Sequence, residues 1–181
     1  EFRPYPLDSQ TKHAPPGTKM AEGKYPVVTG LEHDEWGHPS SNPELHQTMT
    51  NRRRNKIKAL ASSLGKPETY GEDGGDVLLI GWGSTWGPIR EAVDASKENG
   101  QKVSSIHLRH IHPMPNEIEE IINNFQKALV VEMNDEGLYG YGQLATLLRA
   151  RYSNPNILSL TKTNGLGFKV SEILEGIKNV L

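Results

Sequence analysis

The chain has 181 residues, a formal net charge of −2 and no cysteine. This length suits one large domain, or one domain preceded by an arm. The nearly neutral charge gives no basic surface for nucleic acid, and the lack of cysteine excludes disulfides and thiolate-ligated clusters within the chain. The sequence has no apolar run near the roughly 18 residues of a membrane span and no secretory signal. We therefore expect a cytoplasmic protein without a membrane partner.

The first 75 residues differ in character from the rest. They are rich in proline, glycine and polar residues, and "RPYPLD", "HAPPGT" and "SSNP" are typical of turns and extended chain. Such a composition fits either disorder or an arm laid over another subunit. We expect residues 1–75 to form an extended arm that includes a linker helix near residues 44–62 and a linker at residues 65–76.

From Asp76 onward, apolar runs alternate with amphipathic segments. Strands are expected at residues 76–82, 102–108, 127–133 and 156–161. Helices are expected at residues 86–99, 116–125, 142–152 and 169–181. Ser84 or Thr85, and Asn116, are candidate helix N-caps, and Gly100 is a candidate helix end. This alternation predicts an α/β domain over residues 76–181, with a mainly parallel sheet and helices on both faces.

The motifs that follow these strands each allow two interpretations. "GWGSTWG", residues 81–87, is one residue off the dinucleotide-binding pattern, so a tight strand–helix turn is favoured over a nucleotide loop. His110 and His112 would share one face of a strand, which is a weak metal signal, and hydrogen bonding at an interface is favoured. Glu132 ends an apolar strand and needs a buried partner. The acidic residues after it are either solvated or a magnesium site.

Two charged motifs stand out in the arm. "GLEHDEWGH" holds Glu32, His33 and Asp34, and a histidine beside carboxylates can serve as an acid/base pair or hydrogen-bond relay. The five-residue spacing of its histidines does not fit a helical zinc site, and a surface loop is the alternative. "RRRNKIK" holds Arg52, Arg53 and Arg54, which are either a solvated helix face or residues that dock on an anion.

A set of stretches in chain order carries a family resemblance. They are "RPYPLD", "PPGT", "TGLEHDEWGH", "HQTMTNRRRNKIKAL", "GDVLLIGWGST", "HLRHIHPMP", "VVEMN", "GQLATLLRARY" and "SLTKTNGLGF". Together they resemble the carboxyl-terminal part of the alpha subunit of 2-oxoacid:ferredoxin oxidoreductases, most closely the 2-oxoglutarate type. The resemblance implies a three-layer α/β/α sandwich of the transketolase carboxyl-terminal type over residues 76–181. It also implies that residues 1–75 are the end of the thiamine-pyrimidine domain and its linker.

The resemblance further implies a multi-subunit enzyme. It would oxidatively decarboxylate 2-oxoglutarate with coenzyme A, giving succinyl-CoA and CO2 and reducing ferredoxin. Thiamine diphosphate, Mg²⁺ and a [4Fe-4S] cluster would act in the whole complex, with none bound by this chain alone. The expected partners are the thiamine-diphosphate-binding beta subunit, the remainder of the alpha subunit and ferredoxin, with coenzyme A and a 2-oxoacid as substrates.

The chain lacks the motifs that carry the catalytic and cofactor-binding residues of the family. It lacks the "YPITP"-type substrate motif, the cluster cysteines and the acidic motif for the diphosphate metal, so the resemblance assigns it no catalytic residue and no metal ligand. The insertion "DEGLYGY" also separates "VVEMN" from "GQL". The candidate interface or coenzyme A-channel residues are Glu32, His33, Asp34, Arg52, Arg53 and Arg54.

Three alternatives remain open at the level of sequence. The substrate could be another 2-oxoacid, such as pyruvate or a branched-chain acid. The chain could be a non-catalytic oligomerisation domain. A nicotinamide-dependent dehydrogenase would rest only on the glycines of residues 81–87.

Overall fold

The computed structural model of the chain describes residues 2–12, 14–21 and 25–181. Its contacts divide the chain into two units, Glu1–Ser63 and Leu64–Leu181, which are called unit 1 and unit 2 below. The boundary expected at residue 75 falls inside unit 2, because residues 69–70 already pair with the sheet. The assignment of residues 1–75 to a thiamine-pyrimidine domain and its linker stays a prediction.

Unit 1 contains one long helix, α1 (Pro43–Ala61). The Asn42 side chain accepts a hydrogen bond from the Leu45 backbone N–H at 2.8 Å, and Pro43 occupies the first helical position, where no N–H is needed. The apolar side chains of this helix are only partly buried, since Met49 is 1% exposed but Leu60 is 46% exposed. The described residues ahead of α1 are irregular apart from one β-bridge between His33 and Pro39.

Unit 2 follows the predicted alternation of strands and helices. The strands are β1 (Thr69–Tyr70), β2 (Gly75–Trp82), β3 (Val103–Leu108), β4 (Phe125–Glu132) and β5 (Ile157–Thr161). The helices are α2 (Trp86–Glu98), α3 (Ile118–Asn123), α4 (Gln143–Tyr152) and α5 (Val170–Val180). The strand order is β1-β3-β2-β4-β5, with every pair parallel except β1 against β3. The mainly parallel sheet is therefore confirmed, and β1 is an addition inside the segment expected to be a linker.

The sheet separates two apolar cores, as the alternation of side chains along a strand requires. On one face, Leu78 and Ile80 of β2 pack with apolar residues of α3 and α4. On the other face, Val77 and Leu79 pack with apolar residues of α2 and α5. Because each strand of the centre is buried on both faces, it has the continuous apolar run seen in the sequence. The three-layer α/β/α arrangement is confirmed.

The helix ends confirm one prediction and correct two. Gly100 ends α2 with φ of +75°, and the N–H groups of Gly100 and Gln101 bond back to the last turn at 3.0 Å each. Thr85 occupies the N-cap position of α2, but its side chain makes no capping bond, because its hydroxyl accepts from the Trp82 N–H at 3.2 Å and donates to the Trp82 carbonyl at 2.9 Å. Asn116 does not cap α3, which begins at Ile118 after Glu117 and has no side-chain cap.

None of the helices in the described residues is long and apolar enough to cross a membrane.

Candidate functional site

The loop around Glu32, His33 and Asp34 is a tight turn within unit 1. The backbone N–H of Asp34 bonds to the His38 carbonyl at 3.0 Å, and the N–H of Ser40 bonds to the Glu32 carbonyl at 2.9 Å. Gly37 at the tip has φ of +89°, and a Cβ there would overlap the Val27 carbonyl oxygen. The loop is thus closed on itself by its own backbone, which fixes where its charged side chains lie.

Asp34 is used to build this turn. One of its carboxylate oxygens accepts the backbone N–H groups of Trp36 at 2.9 Å and His38 at 3.0 Å. Desolvation is the largest single effect on Asp34 and opposes its ionisation, but these two donors and the His38 ring together outweigh it and hold the pKa of the carboxyl below its ordinary value. The His38 ring nitrogen lies 3.5 Å from the other oxygen. His38, not His33, is therefore the histidine beside this carboxylate.

His33 does not form the acid/base pair that its neighbours suggested. Its Nδ1 lies 2.9 Å from the Asp34 backbone carbonyl, which fits an Nδ1–H donor. The ring lies against the Tyr5 ring, with centroids 4.1 Å apart and planes inclined by 41°. A backbone carbonyl accepts but gives no proton, so these contacts orient the imidazole without making it part of a carboxylate relay.

Glu32 and Arg53 form a bidentate ion pair between the loop and α1. The guanidinium nitrogens of Arg53 lie 3.0 and 2.6 Å from the two oxygens of Glu32. The Glu32 side chain is 12% exposed, and His46 adds a weaker contact at 3.8 Å. The hydrogen bond from Arg53 is the largest cause that lowers the pKa of Glu32, to about 2 from an ordinary 4.5. This pair joins two segments that are 21 residues apart.

The other two arginines have different partners. Arg52 donates to the Pro6 carbonyl at 2.6 Å and to the Thr11 hydroxyl at 2.5 Å, so it ties α1 to the first segment of unit 1. Arg54 contacts a neutral group, the Asn51 side chain, at 3.2 Å. The structure therefore brings together Glu32 and Arg53 but places Arg52 and Arg54 elsewhere. The role of these six residues at an interface or coenzyme A channel stays a prediction.

The Glu32–Arg53 pair predicts a titration that can be measured. A folded-state pKa below the unfolded value means that Glu32 contributes stability above pH 4.5, which is lost as the pH falls towards 2. We expect a carbon-detected NMR titration of the Glu32 carboxyl to give a midpoint near 2, and Arg53→Gln to raise it towards 4.5. Arg54→Gln is the matched control, since Arg54 does not touch Glu32. An unchanged midpoint in Arg53→Gln would contradict the assignment.

Glu132 has the buried partner that its position required. Its side chain is fully buried, and its oxygens accept the backbone N–H groups of Leu144 and Ala145 at 3.0 Å each. Asn134 donates a third hydrogen bond at 2.9 Å. The carboxylate therefore satisfies free amides at the first turn of α4, where the helix dipole also favours negative charge. The expectation of a buried partner is confirmed, and its role is to hold a helix end.

The histidines after β3 do not lie as expected. β3 ends at Leu108, so His110 and His112 follow the strand and do not share one of its faces. His107, inside β3, is partly buried, and its Nδ1 has no hydrogen-bond partner within the described residues. Across those residues, no cluster of three or more His, Asp or Glu side chains is placed to hold a metal ion. The metal-binding interpretations of these histidines and of the acidic residues after β4 are therefore not supported by the geometry of the described residues.

Comparison with known proteins identifies the family. A family model for pyruvate:ferredoxin oxidoreductase core domain II matches residues 75–174. The 2-oxoglutarate oxidoreductase subunit KorA of Mycobacterium tuberculosis is 34% identical over 99% of this chain. The alpha subunit of 2-oxoacid:ferredoxin oxidoreductase 2 of Aeropyrum pernix is 32% identical over 86% of this chain. The chain belongs to the 2-oxoacid:ferredoxin oxidoreductase alpha-subunit family.

The likeness to these alpha subunits extends to solved structures. The 2-oxoglutarate:ferredoxin oxidoreductase of Magnetococcus marinus, solved with 2-oxoglutarate, coenzyme A and succinyl-CoA bound, matches 99% of this chain with a TM-score of 0.82 and 31% identity. A split-gene transketolase, described as an inactive beta4 tetramer, matches 65% of the chain with a TM-score of 0.51 at 14% identity, which supports the fold alone.

The chain is short beside its family members. It spans 26% of the M. tuberculosis subunit, 24% of the A. pernix subunit and 30% of the M. marinus chain. The residues present do not fit an iron–sulfur cluster, because the sequence has no cysteine to supply thiolates. They also show no acidic cluster for a diphosphate-bound metal in the part of the chain that the structure describes. No step through these cofactors can be assigned to this chain's residues.

Proposed function

We propose that the chain is the carboxyl-terminal segment of the alpha subunit of a 2-oxoacid:ferredoxin oxidoreductase, with 2-oxoglutarate as the 2-oxoacid. The whole enzyme would convert 2-oxoglutarate and coenzyme A to succinyl-CoA and CO2 and pass the electrons to ferredoxin. The observation that carries the proposal is the match of 99% of the chain, with a TM-score of 0.82, to an oxidoreductase solved with 2-oxoglutarate, coenzyme A and succinyl-CoA. Names of the curated relatives support the same substrate.

The segment itself would serve assembly and access to the active site. Unit 1 supports this role, because its charged residues organise a proline-rich chain that has little regular structure of its own. Arg52 anchors the first segment, and the Glu32–Arg53 pair anchors the loop of residues 30–38 to α1. Bidentate arginine–carboxylate contacts fix geometry as well as adding energy. A loop held in this way is suited to present its other side chains, including His33, to a neighbouring domain or subunit.

The cofactors would then lie in the rest of a cytoplasmic complex. Thiamine diphosphate and Mg²⁺ would be held by the beta subunit and the remainder of the alpha subunit, and the [4Fe-4S] cluster by a cysteine-bearing partner. Thiamine diphosphate supplies the carbanion-stabilising chemistry when bound. The contribution of this chain would be the surface that completes the active-site surroundings.

A second substrate is favoured by one observation. The family model that matches residues 75–174 is described for pyruvate:ferredoxin oxidoreductase. Pyruvate lacks the second carboxylate of 2-oxoglutarate, so the two acids differ in charge. The reconstituted complex should be assayed for coenzyme A-dependent ferredoxin reduction with each acid. We expect a kcat/KM at least tenfold higher for 2-oxoglutarate, and a higher value for pyruvate would overturn the substrate assignment.

The role of the loop can be tested in the same complex. We expect Arg53→Gln to lower turnover by about tenfold while the subunits still assemble, since misplacing a segment near an active site by about 1 Å is costly. His33→Ala should also lose turnover. Lys58→Gln, in the last turn of α1, is the control and should leave turnover close to that of the parent, because Lys58 is exposed and is not one of the six candidate residues. Equal turnover in all these complexes, with assembly verified by size-exclusion chromatography, would remove unit 1 from active-site access.

A further inference from the structure

A groove of about 740 Å³ lies within unit 2. Its walls are the segment of residues 64–70, the first turns of α2, the end of β3 and the residues that follow β3. This volume is within the range of about 300–1,000 Å³ that small-molecule sites occupy. The carboxyl end of β3 opens into it, which is the edge where parallel sheets bind ligands.

The groove has a positive lining on a protein whose net charge is −2. Lys66, Arg90 and Arg109 contribute three permanent charges, whereas Glu68 is the one carboxylate among the lining residues, all of which are described. His107 and His110 add two further nitrogen-bearing rings. Desolvation and then the charge of Arg109 lower the pKa of His107. The positive field of Arg109 therefore reaches into the groove.

The cationic side chains of the groove have few or weak partners among the described residues. Arg109 is exposed and makes no hydrogen bond or ion pair with any residue in the described ranges. The Arg90 guanidinium lies 3.5 Å above the centre of the Tyr70 ring and 5.1 Å from that of Trp86. Stacking on the aromatic rings fixes the plane of the Arg90 guanidinium and leaves the N–H groups at its edge free to donate hydrogen bonds. Lys66 has an exposed contact with Glu120 at 3.3 Å, which is weak in water.

An aromatic surface lies beside these donors. Trp86 lines the groove and is 52% exposed. A large exposed indole next to several cations is the combination that binds a planar base and its phosphates, because stacking and charge act on different parts of one ligand. A ligand with phosphate alone would use the cations and leave the indole unused.

We propose that this groove is a binding site for a nucleotide, with phosphates at Arg109 and Arg90 and the base against Trp86. The site goes beyond the proposed function, and only its coenzyme A arm rests on that function; every lining residue belongs to unit 2. The ligand chemistry could come from a free nucleotide or from the phosphorylated adenosine end of coenzyme A, and the experiment separates these sources.

The test is calorimetric titration of the 181-residue chain with ADP, inorganic pyrophosphate, adenosine and coenzyme A. We expect saturable binding of ADP that Arg109→Gln weakens at least tenfold. Trp86→Ala should weaken ADP at least threefold while changing pyrophosphate binding less than twofold. Arg151→Gln, on α4 and outside the groove, is the matched control and should bind ADP like the parent. Circular dichroism and thermal unfolding of each variant establish that it is folded.

The relative affinities for coenzyme A and ADP identify the source of the ligand. Coenzyme A binding at least tenfold more tightly than ADP would identify the coenzyme as the source, and equal or weaker binding would identify a free nucleotide. Absence of saturable binding by ADP, pyrophosphate and coenzyme A would overturn the proposal. ADP binding that is unchanged in Arg109→Gln and in a second variant, His110→Gln, would also overturn it. The substrate assays of the complex are independent of these results, so the two proposals can fail separately.

Discussion

Glu132→Gln is expected to lower the free energy of unfolding of unit 2 by about 2–4 kcal/mol. The carboxylate of Glu132 is fully buried and accepts three hydrogen bonds, from Leu144, Ala145 and Asn134. A glutamine of the same size keeps one accepting oxygen but turns an N–H group towards donors. At least one amide of α4 is then left buried without an acceptor, which costs more than the loss of an average hydrogen bond.

The effect should be measured in two ways. Urea unfolding followed by circular dichroism should show a lower midpoint, and the thermal midpoint should fall by roughly 5–15 °C for a chain of this size. Hydrogen exchange at the Leu144 and Ala145 amides should quicken more than exchange in β2. Glu136→Gln is the control, because Glu136 is exposed in the loop after β4. A Glu132 variant with the stability of the parent would show that the helix end does not need this carboxylate.

Gly142→Ala should destabilise the same helix end by about 2–3 kcal/mol. Gly142 has φ of −62°, which alanine adopts freely, so the cost is one of space and not of backbone conformation. A Cβ at this position would overlap the Glu132 carboxylate, which its three hydrogen bonds hold in place. Moving the carboxylate aside would break those bonds. The destabilisation by Gly142→Ala therefore arises largely from the loss of the Glu132 hydrogen bonds.

A double-mutant cycle gives this prediction its sharpest form. In a Glu132→Ala background the space is free, and we expect Gly142→Ala to cost less than about 1 kcal/mol there, because neighbouring residues couple. Gly167→Ala, in the loop before α5, is the matched control, since a Cβ at Gly167 meets no atom within 4 Å. It should be neutral or stabilising by up to about 1 kcal/mol, because alanine leaves the unfolded chain less conformational freedom than glycine does. Simple additivity of the Glu132 and Gly142 changes would contradict the proposed contact.

The partners of the buried and paired polar side chains are not visible in the sequence. The sequence indicates that Glu132 needs a partner, because a carboxylate at the end of an apolar strand is costly when unpaired. The partner is the backbone of α4, which has no side-chain signature in the sequence. Likewise, the sequence offers both Glu32 and Arg53 as candidate site residues, but their pairing across 21 residues requires the loop and α1 to be folded together. The same holds for the groove, whose Lys66, Arg90 and Arg109 are far apart in the chain.

The sequence by itself determined the α/β class, the four main strands and their helices, because buried parallel strands and amphipathic helices leave distinct apolar periods. It also determined family membership, through the order of its motifs. Only the tertiary structure decided where those elements end and what their polar groups touch. His110 and His112 fell outside β3, Thr85 turned its hydroxyl to Trp82, and residues 69–70 became an edge strand. Such outcomes depend on competition between contacts that are distant in sequence, and local patterns do not record that competition.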